Sequence, residues 1–156
     1  MNRADLEQLY RDHGPAVLRR ARQILQNEAE ALDALQEIFL SLARQSAFEP
    51  GRGTTAWFYI RTTNFCLNSL RDSRNRARLR DAIARPERSV PARSEDVVLA
   101  RDVLARLPPE LASVAVYYYC DEMTHDEIAA LLGCSRRHVG HLVERLHRQL
   151  EVTACG

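Results

Sequence analysis

At 156 residues and 46% hydrophobic content, the chain has room for one medium globular domain or two small ones, and no apolar run approaches the ~20 residues a membrane-spanning helix requires. Its first residues, MNRADLEQLYRDHG, are charged and lack an apolar signal core, so a cytoplasmic location without membrane insertion is expected. All 22 basic residues are Arg, and the net charge of +1 hides an asymmetry: residues 1–70 carry 8 Arg against 8 acids, residues 71–93 carry 8 against 3, and residues 94–156 carry 6 against 10.

The spacing predicts two opening helices, residues 4–12 and 15–26, broken at Gly14 and Pro15. Leu6, Leu9 and Tyr10, then Val17, Leu18, Ala21, Ile24 and Leu25, form their apolar stripes. Asn27 with Glu30 has the spacing of a capping box and opens a third helix, in which Leu32, Leu35, Ile38, Phe39 and Leu42 are expected to be buried. Asp33, Gln36, Glu37 and Ser41 fall on its outer side, as a plain solvated face or as a docking surface for a basic partner. After the loop Phe48–Gly53, Thr54 or Thr55 can cap a helix containing Trp57, Phe58, Tyr59, Ile60, Phe65, Leu67 and Leu70. Arg61, Asn64, Asn68 and Arg71 are interleaved with these aromatics. The mixture offers rings for stacking, amides for base edges and guanidinium groups for phosphate, which single-stranded nucleic acid requires. Asn64 and Asn68 stand one turn apart, and Asn gains little in a helix without a contact.

Residues 72–93 are Arg-rich, contain Pro86 and Pro91 and lack a long apolar stripe, so they read as a linker whose first part can extend the preceding helix. From Asp96 a helix through Val97, Val98, Leu99, Val103 and Leu104 leads to Leu107-Pro108-Pro109, where proline restarts the chain in a helix that buries Leu111, Val114, Ala115 and Tyr118. Thr124–Leu150 then reads as two helices and a tight turn. Thr124 and Glu127 form a capping box, Ile128, Leu131 and Leu132 one apolar face, and Gly133 the stop. Ser135 caps a second helix whose Val139, Leu142, Val143, Leu146 and Leu150 form a buried stripe. Arg136, Arg137, His138, Gly140, His141, Glu144 and Arg145 are left outside. This is the helix-turn-helix pattern, which presents the start of its second helix to a DNA major groove; an ordinary helical hairpin is the alternative.

Cys66, Cys120, Cys134 and Cys155 have no short paired spacing and are expected to be free thiols. Cys134, His138 and His141 with Cys120 or His125 supply zinc-ligand atoms, but in no common zinc spacing, so no metal or other cofactor is expected. A thiol or metal sensor remains an alternative reading, as does an ordinary helix-turn-helix DNA-binding regulator. No nucleophile with a neighbouring base stands out, so no enzymatic activity is expected.

The stretches ALDALQEIFLSL, WFYIRTTNFCLNSLR and LARLPPELASVAVYYYCDEMTHDEIAALLGCSRRHVGHLVERL, in this order, resemble an RNA polymerase sigma factor of the extracytoplasmic-function group. The resemblance implies an all-α protein of two small helical domains: region two over residues 1–73, a flexible basic linker over 74–94, and region four over 95–151. It implies that Asp33, Gln36 and Glu37 dock on the coiled coil of the largest subunit of core RNA polymerase. The Phe48–Thr55 loop with Trp57, Arg61, Asn64, Asn68 and Arg71 would open and capture the proximal promoter element. Ser135, Arg136, Arg137, His138, His141 and Arg145 would read the distal element as duplex DNA. An anti-sigma factor is implied as a further partner. Gly140 stands where such factors commonly carry Lys, and Leu142 where Arg is frequent, which implies weaker or altered distal-element binding.

Overall fold

A computed structural model describes residues 1–83 and 94–155. Among them every regular element is helical: α1 Arg3–Leu25, α2 Glu28–Ala43, α3 Thr54–Ile83, α4 Glu95–Arg106, α5 Pro109–Ala115 with a π-helical turn at Val116–Cys120, α6 His125–Leu132 and α7 Arg136–Ala154. The chain divides into two compact units, Met1–Cys66 and Leu67–Gly156. Helix α3 begins in the first and ends in the second.

In the first unit, Asn2 and Asp5 cap α1 reciprocally, and the chain leaves it through Gln26 in the left-handed conformation at φ 52°. The break expected at Gly14 and Pro15 does not occur: α1 is continuous, with Pro15 inside it. A mid-helix proline forfeits one backbone hydrogen bond and crowds the preceding turn. Packing on both sides outweighs that cost. Leu9 before it and Val17 after it belong to one core, Ala21, Ile24 and Leu25 are buried further on, and Tyr10 meets the Phe39 ring edge-on at 4.9 Å. His13 stacks on Phe58 at 4.6 Å.

Asn27 Oδ1 accepts from the Glu30 amide at 2.9 Å and starts α2. Its buried residues are Ala31, Ala34, Leu35, Ile38, Phe39 and Leu42. Leu32, expected inside, is 44% exposed, and Ala31 and Ala34 on either side of it are the buried residues of that turn. Leu9, Val17, Leu35, Ile38, Phe39, Leu42 and Phe58 form the core of this unit. Neither Thr54 nor Thr55 caps α3 as expected: Thr54 is already helical, and its hydroxyl accepts from the Gly51 amide at 2.7 Å, closing the loop behind the helix. Residues 74–83 of the expected linker are helical, whereas Pro86 and Pro91 lie outside the described residues.

In the second unit, Ser94 caps α4 and Pro109 starts α5. The π-turn, marked by the Asp121 amide donating to the Val116 carbonyl at 3.0 Å, adds a residue to the register. Leu111 to Tyr117 are buried without a break, so Tyr117, rather than the expected Tyr118, is the fully buried tyrosine; Tyr118 is half-buried, and Tyr119 is exposed. The capping box of α6 is complete, with the Thr124 amide 3.1 Å from Glu127 Oε2 and the Glu127 amide 3.2 Å from Thr124 Oγ1. Gly133 turns the chain at φ 68°, which only glycine adopts at little cost, and Ser135 Oγ accepts from the His138 amide at 3.1 Å. Ile128 and Ala129 of α6 close on Val139, Leu142, Val143 and Leu146 of α7, while Leu131, Leu132 and Leu150 are half-buried.

Candidate nucleic-acid interface

Three exposed faces carry the residues singled out above. On α2, Asp33, Gln36 and Glu37 share one side at helical spacing and are all exposed. Ser41 departs from them: its hydroxyl donates to its own helix at the Ile38 carbonyl, 2.8 Å away. Leu32 and Leu40, 44% and 47% exposed, flank the trio as surface residues that the apolar pattern does not anticipate. The i, i+4, i+8 relation of Leu32, Gln36 and Leu40 is the only signal for them in the sequence.

On α3, Trp57, Arg61, Asn64, Asn68 and Arg71 follow one another at alternating steps of four and three residues and so form a single stripe. Arg61, Asn64 and Asn68 are exposed, and Trp57 and Arg71 are half-buried. The Trp57 ring is fixed between Phe48 at 5.1 Å and Phe58 at 5.0 Å, the second nearly perpendicular at 87°. The ring packs partly on the core and, through Phe48, on the loop that Gly51 and Thr54 close. Arg71 donates to Asn68 Oδ1 at 3.1 Å, so the amide and the guanidinium act as one polar group. Behind the stripe, Arg20 is buried and donates to Thr63 Oγ1 from Nε and Nη2 at 3.2 and 3.1 Å. Its guanidinium lies 4.2 Å from the Tyr59 ring centre, which fixes the roll of α3 against α1. Sequence reasoning missed Arg20, because an arginine in an amphipathic helix looks like a surface residue until its partner two helices away is known.

On α7, Ser135, Arg136, Arg137, His138, His141 and Arg145 are exposed around the first turns of the helix. Ser135 spends its hydroxyl on the cap, which leaves that end of the helix as a rigid positive pole. Arg136 stands 3.7 Å from Asp126 and Arg145 3.3 Å from Glu110. Such exposed pairs are worth about 0–1 kcal/mol and yield readily to a phosphate. Gly140 is half-buried beside these residues, with no atom within 4 Å of the position a Cβ would take. Leu142 is buried and belongs to the packing side.

Two family models match this chain: Sigma-70 region 2 over residues 9–76, which contains the α2 face and the α3 stripe, and Sigma-70 region 4 over residues 98–150, which contains the helix-turn-helix. The chain belongs to the sigma-70 family. Its relatives include a sigma factor of the extracytoplasmic-function (ECF) group. The chain is 30% identical over 153 residues to the ECF RNA polymerase sigma factor SigE of Mycolicibacterium smegmatis, covering 91% of this chain and 57% of that relative's length. It is 29% identical over 134 residues to the RNA polymerase sigma factor CarQ of Myxococcus xanthus, covering 83% of this chain and 77% of that one. Among solved structures, CnrH in complex with the cytosolic domain of CnrY is similar at a TM-score of 0.54 and 25% identity, over 98% of this chain and 89% of that one. The sigma factor RpoE of Bartonella quintana, solved with the anti-sigma factor NepR, has the same fold at a TM-score of 0.52 and 18% identity, over 94% of each chain.

The four cysteines of this sigma-70 family member differ in burial. Cys66 is buried, and that burial pushes its thiol up to about 12, which keeps it protonated and unreactive at neutral pH. Cys120 and Cys155 are exposed, and Cys134 is half-buried beside the turn. Among the described residues no group of three or more His, Cys, Asp or Glu side chains gathers as metal ligands would. No described helix is long and apolar enough to cross a membrane.

Proposed function

We propose that this chain is a dissociable transcription-initiation subunit that docks on core RNA polymerase through Asp33, Gln36 and Glu37. The α3 stripe from Trp57 to Arg71, with the Phe48–Thr55 loop, opens and holds one strand of the proximal promoter element. Ser135, Arg136, Arg137, His138, His141 and Arg145 read the distal element as duplex. Docking and melting then belong to residues 1–73 and duplex reading to residues 95–151, with residues 74–94 as the basic link between them. The polymerase makes the RNA; this chain contributes position and strand capture, performs no chemistry and works in the cytoplasm. An anti-sigma protein is its expected negative regulator, as NepR is the partner in the structure of the Bartonella factor.

The observation that carries this reading is the single stripe on α3, where a ring, two amides and two guanidinium groups line up over about four turns. Duplex-binding regulators have no use for such a surface, because it addresses bases already out of the stack. Run-off transcription with core polymerase from the source organism and genomic DNA fragments tests it: discrete new transcripts are expected only when the chain is added. Asn64→Ala with Asn68→Ala should reduce promoter opening while leaving core binding intact, and Asp33→Arg with Glu37→Arg should abolish core binding while sparing DNA contacts. Failure to bind core at all would leave a DNA-binding regulator as the better account.

A further inference from the structure

The C-terminal half of α3, within the unit Leu67–Gly156, is held by acceptors of α4. Arg74 Nε pairs with Asp102 Oδ1 at 3.0 Å, and the second carboxylate oxygen, Oδ2, takes Arg106 Nε at 2.9 Å. Arg74 and Asp102 are only 25% and 36% exposed, so this pair is better shielded than the exposed pairs of α1 and α7. One turn earlier, Arg71 Nη2 donates to the Leu107 carbonyl at 3.4 Å. Leu107 is the C-cap of α4, with extended backbone, and its carbonyl stands at the negative end of that helix. The residues that follow, Pro108 and Pro109, have no amide to offer it.

Two neighbouring arginines on one side of α3 thus meet a carboxylate and a helix C-terminus, an anionic surface of the kind a phosphodiester backbone presents. Arg71 is also the last member of the strand-capturing stripe, and Arg74 stands beside it one turn further along α3. We infer that Asp102 and the Leu107 carbonyl are an internal competitor for single-stranded DNA, which holds Arg74 and Arg71 until the phosphates of a melted strand replace them. Arg74 is then a further phosphate-binding residue, and Asp102 restrains DNA binding by the free chain. The exchange substitutes one anion for another, so neither arginine is left uncompensated at any stage. This inference rests on the stripe being the strand-binding surface.

The test is fluorescence anisotropy of the full-length chain with a labelled single-stranded oligonucleotide of mixed sequence, over a series of KCl concentrations. Asp102→Asn keeps the shape and removes the charge. It should tighten binding roughly two- to fivefold, the scale of a half-exposed ion pair, and steepen the logarithmic salt dependence by ~0.7 for each additional phosphate bound. Arg74→Gln should weaken binding, and Asp102→Asn should have no effect in the Arg74→Gln background. Glu95→Gln, which removes a charge from the first turn of the same helix, should leave the affinity unchanged. The inference is overturned if Asp102→Asn does not tighten binding, if Glu95→Gln tightens it equally, or if the tightening persists without Arg74. Arg61→Ala separates the two readings: if it weakens binding while Asp102→Asn changes nothing, only the competitor fails. If neither alters binding, the stripe fails with it.

Discussion

Gly140 is the position where one added side chain separates the stability of the helix-turn-helix from its grip on DNA. It lies inside α7, four residues after Arg136 and three after Arg137, with open space where a Cβ would stand. Replacing an interior helical glycine by alanine removes the excess backbone entropy of glycine, a stabilisation of about 0.8–1.0 kcal/mol, with lysine slightly less favourable than alanine. For a unit the size of Leu67–Gly156 this corresponds to a rise in Tm of roughly 4–8 °C per kcal/mol. Gly140→Ala and Gly140→Lys should therefore both raise Tm by several degrees in calorimetry. Only Gly140→Lys should bind duplex DNA with a steeper salt dependence, by ~0.9 on the logarithmic slope, or about a 3.5-fold extra loss of affinity between 50 and 200 mM salt. A fall in Tm for Gly140→Ala would refute the open space at this position. An unchanged slope for Gly140→Lys would mean that this side of α7 does not face the phosphates.

Gly133→Ala places a Cβ on backbone at φ 68° and should cost about 1–2 kcal/mol in urea unfolding, although no neighbour obstructs it. Ser135→Ala removes the acceptor for the His138 amide and should lose about 1 kcal/mol, while Ser135→Asp should retain the cap. With thiol reagents at neutral pH, Cys120 and Cys155 should label in the native state and Cys66 only on unfolding; prompt labelling of Cys66 would contradict its burial. Because burial raises the Cys66 thiol to about 12, the folded chain holds that proton more tightly than the unfolded chain, whose thiol has the ordinary value near 8.5. That contribution is fully present below the ordinary value and is lost as pH rises towards 12, so Tm should fall more steeply above pH ~9 in the native chain than in Cys66→Ala.

The sequence by itself determined the helical class, most of the caps and the exposed faces, because these depend on residues within four positions of one another. Asn27, Thr124, Gly133 and Ser135 act at the ends of helices through their own backbone neighbours, and the steps of three and four place Asp33 with Glu37 and Asn64 with Asn68 on common sides whatever the helix packs against. Tertiary structure decided the features in which a distant contact outweighs a local preference. Pro15 breaks a helix in isolation, but the rings of Tyr10 and His13 are held against Phe39 and Phe58, and α1 stays whole. Every residue from Leu111 to Tyr117 is buried, which puts Tyr117 inside and leaves Tyr118 half-buried, an outcome that the three-and-four spacing of a single stripe cannot reveal. Arg20 is inside because Thr63 and Tyr59 lie across from it, about forty residues away in sequence. Arg74 looks like linker charge until Asp102 is placed beside it. In each case the deciding partner lies outside the local window, so packing rather than pattern fixes the outcome.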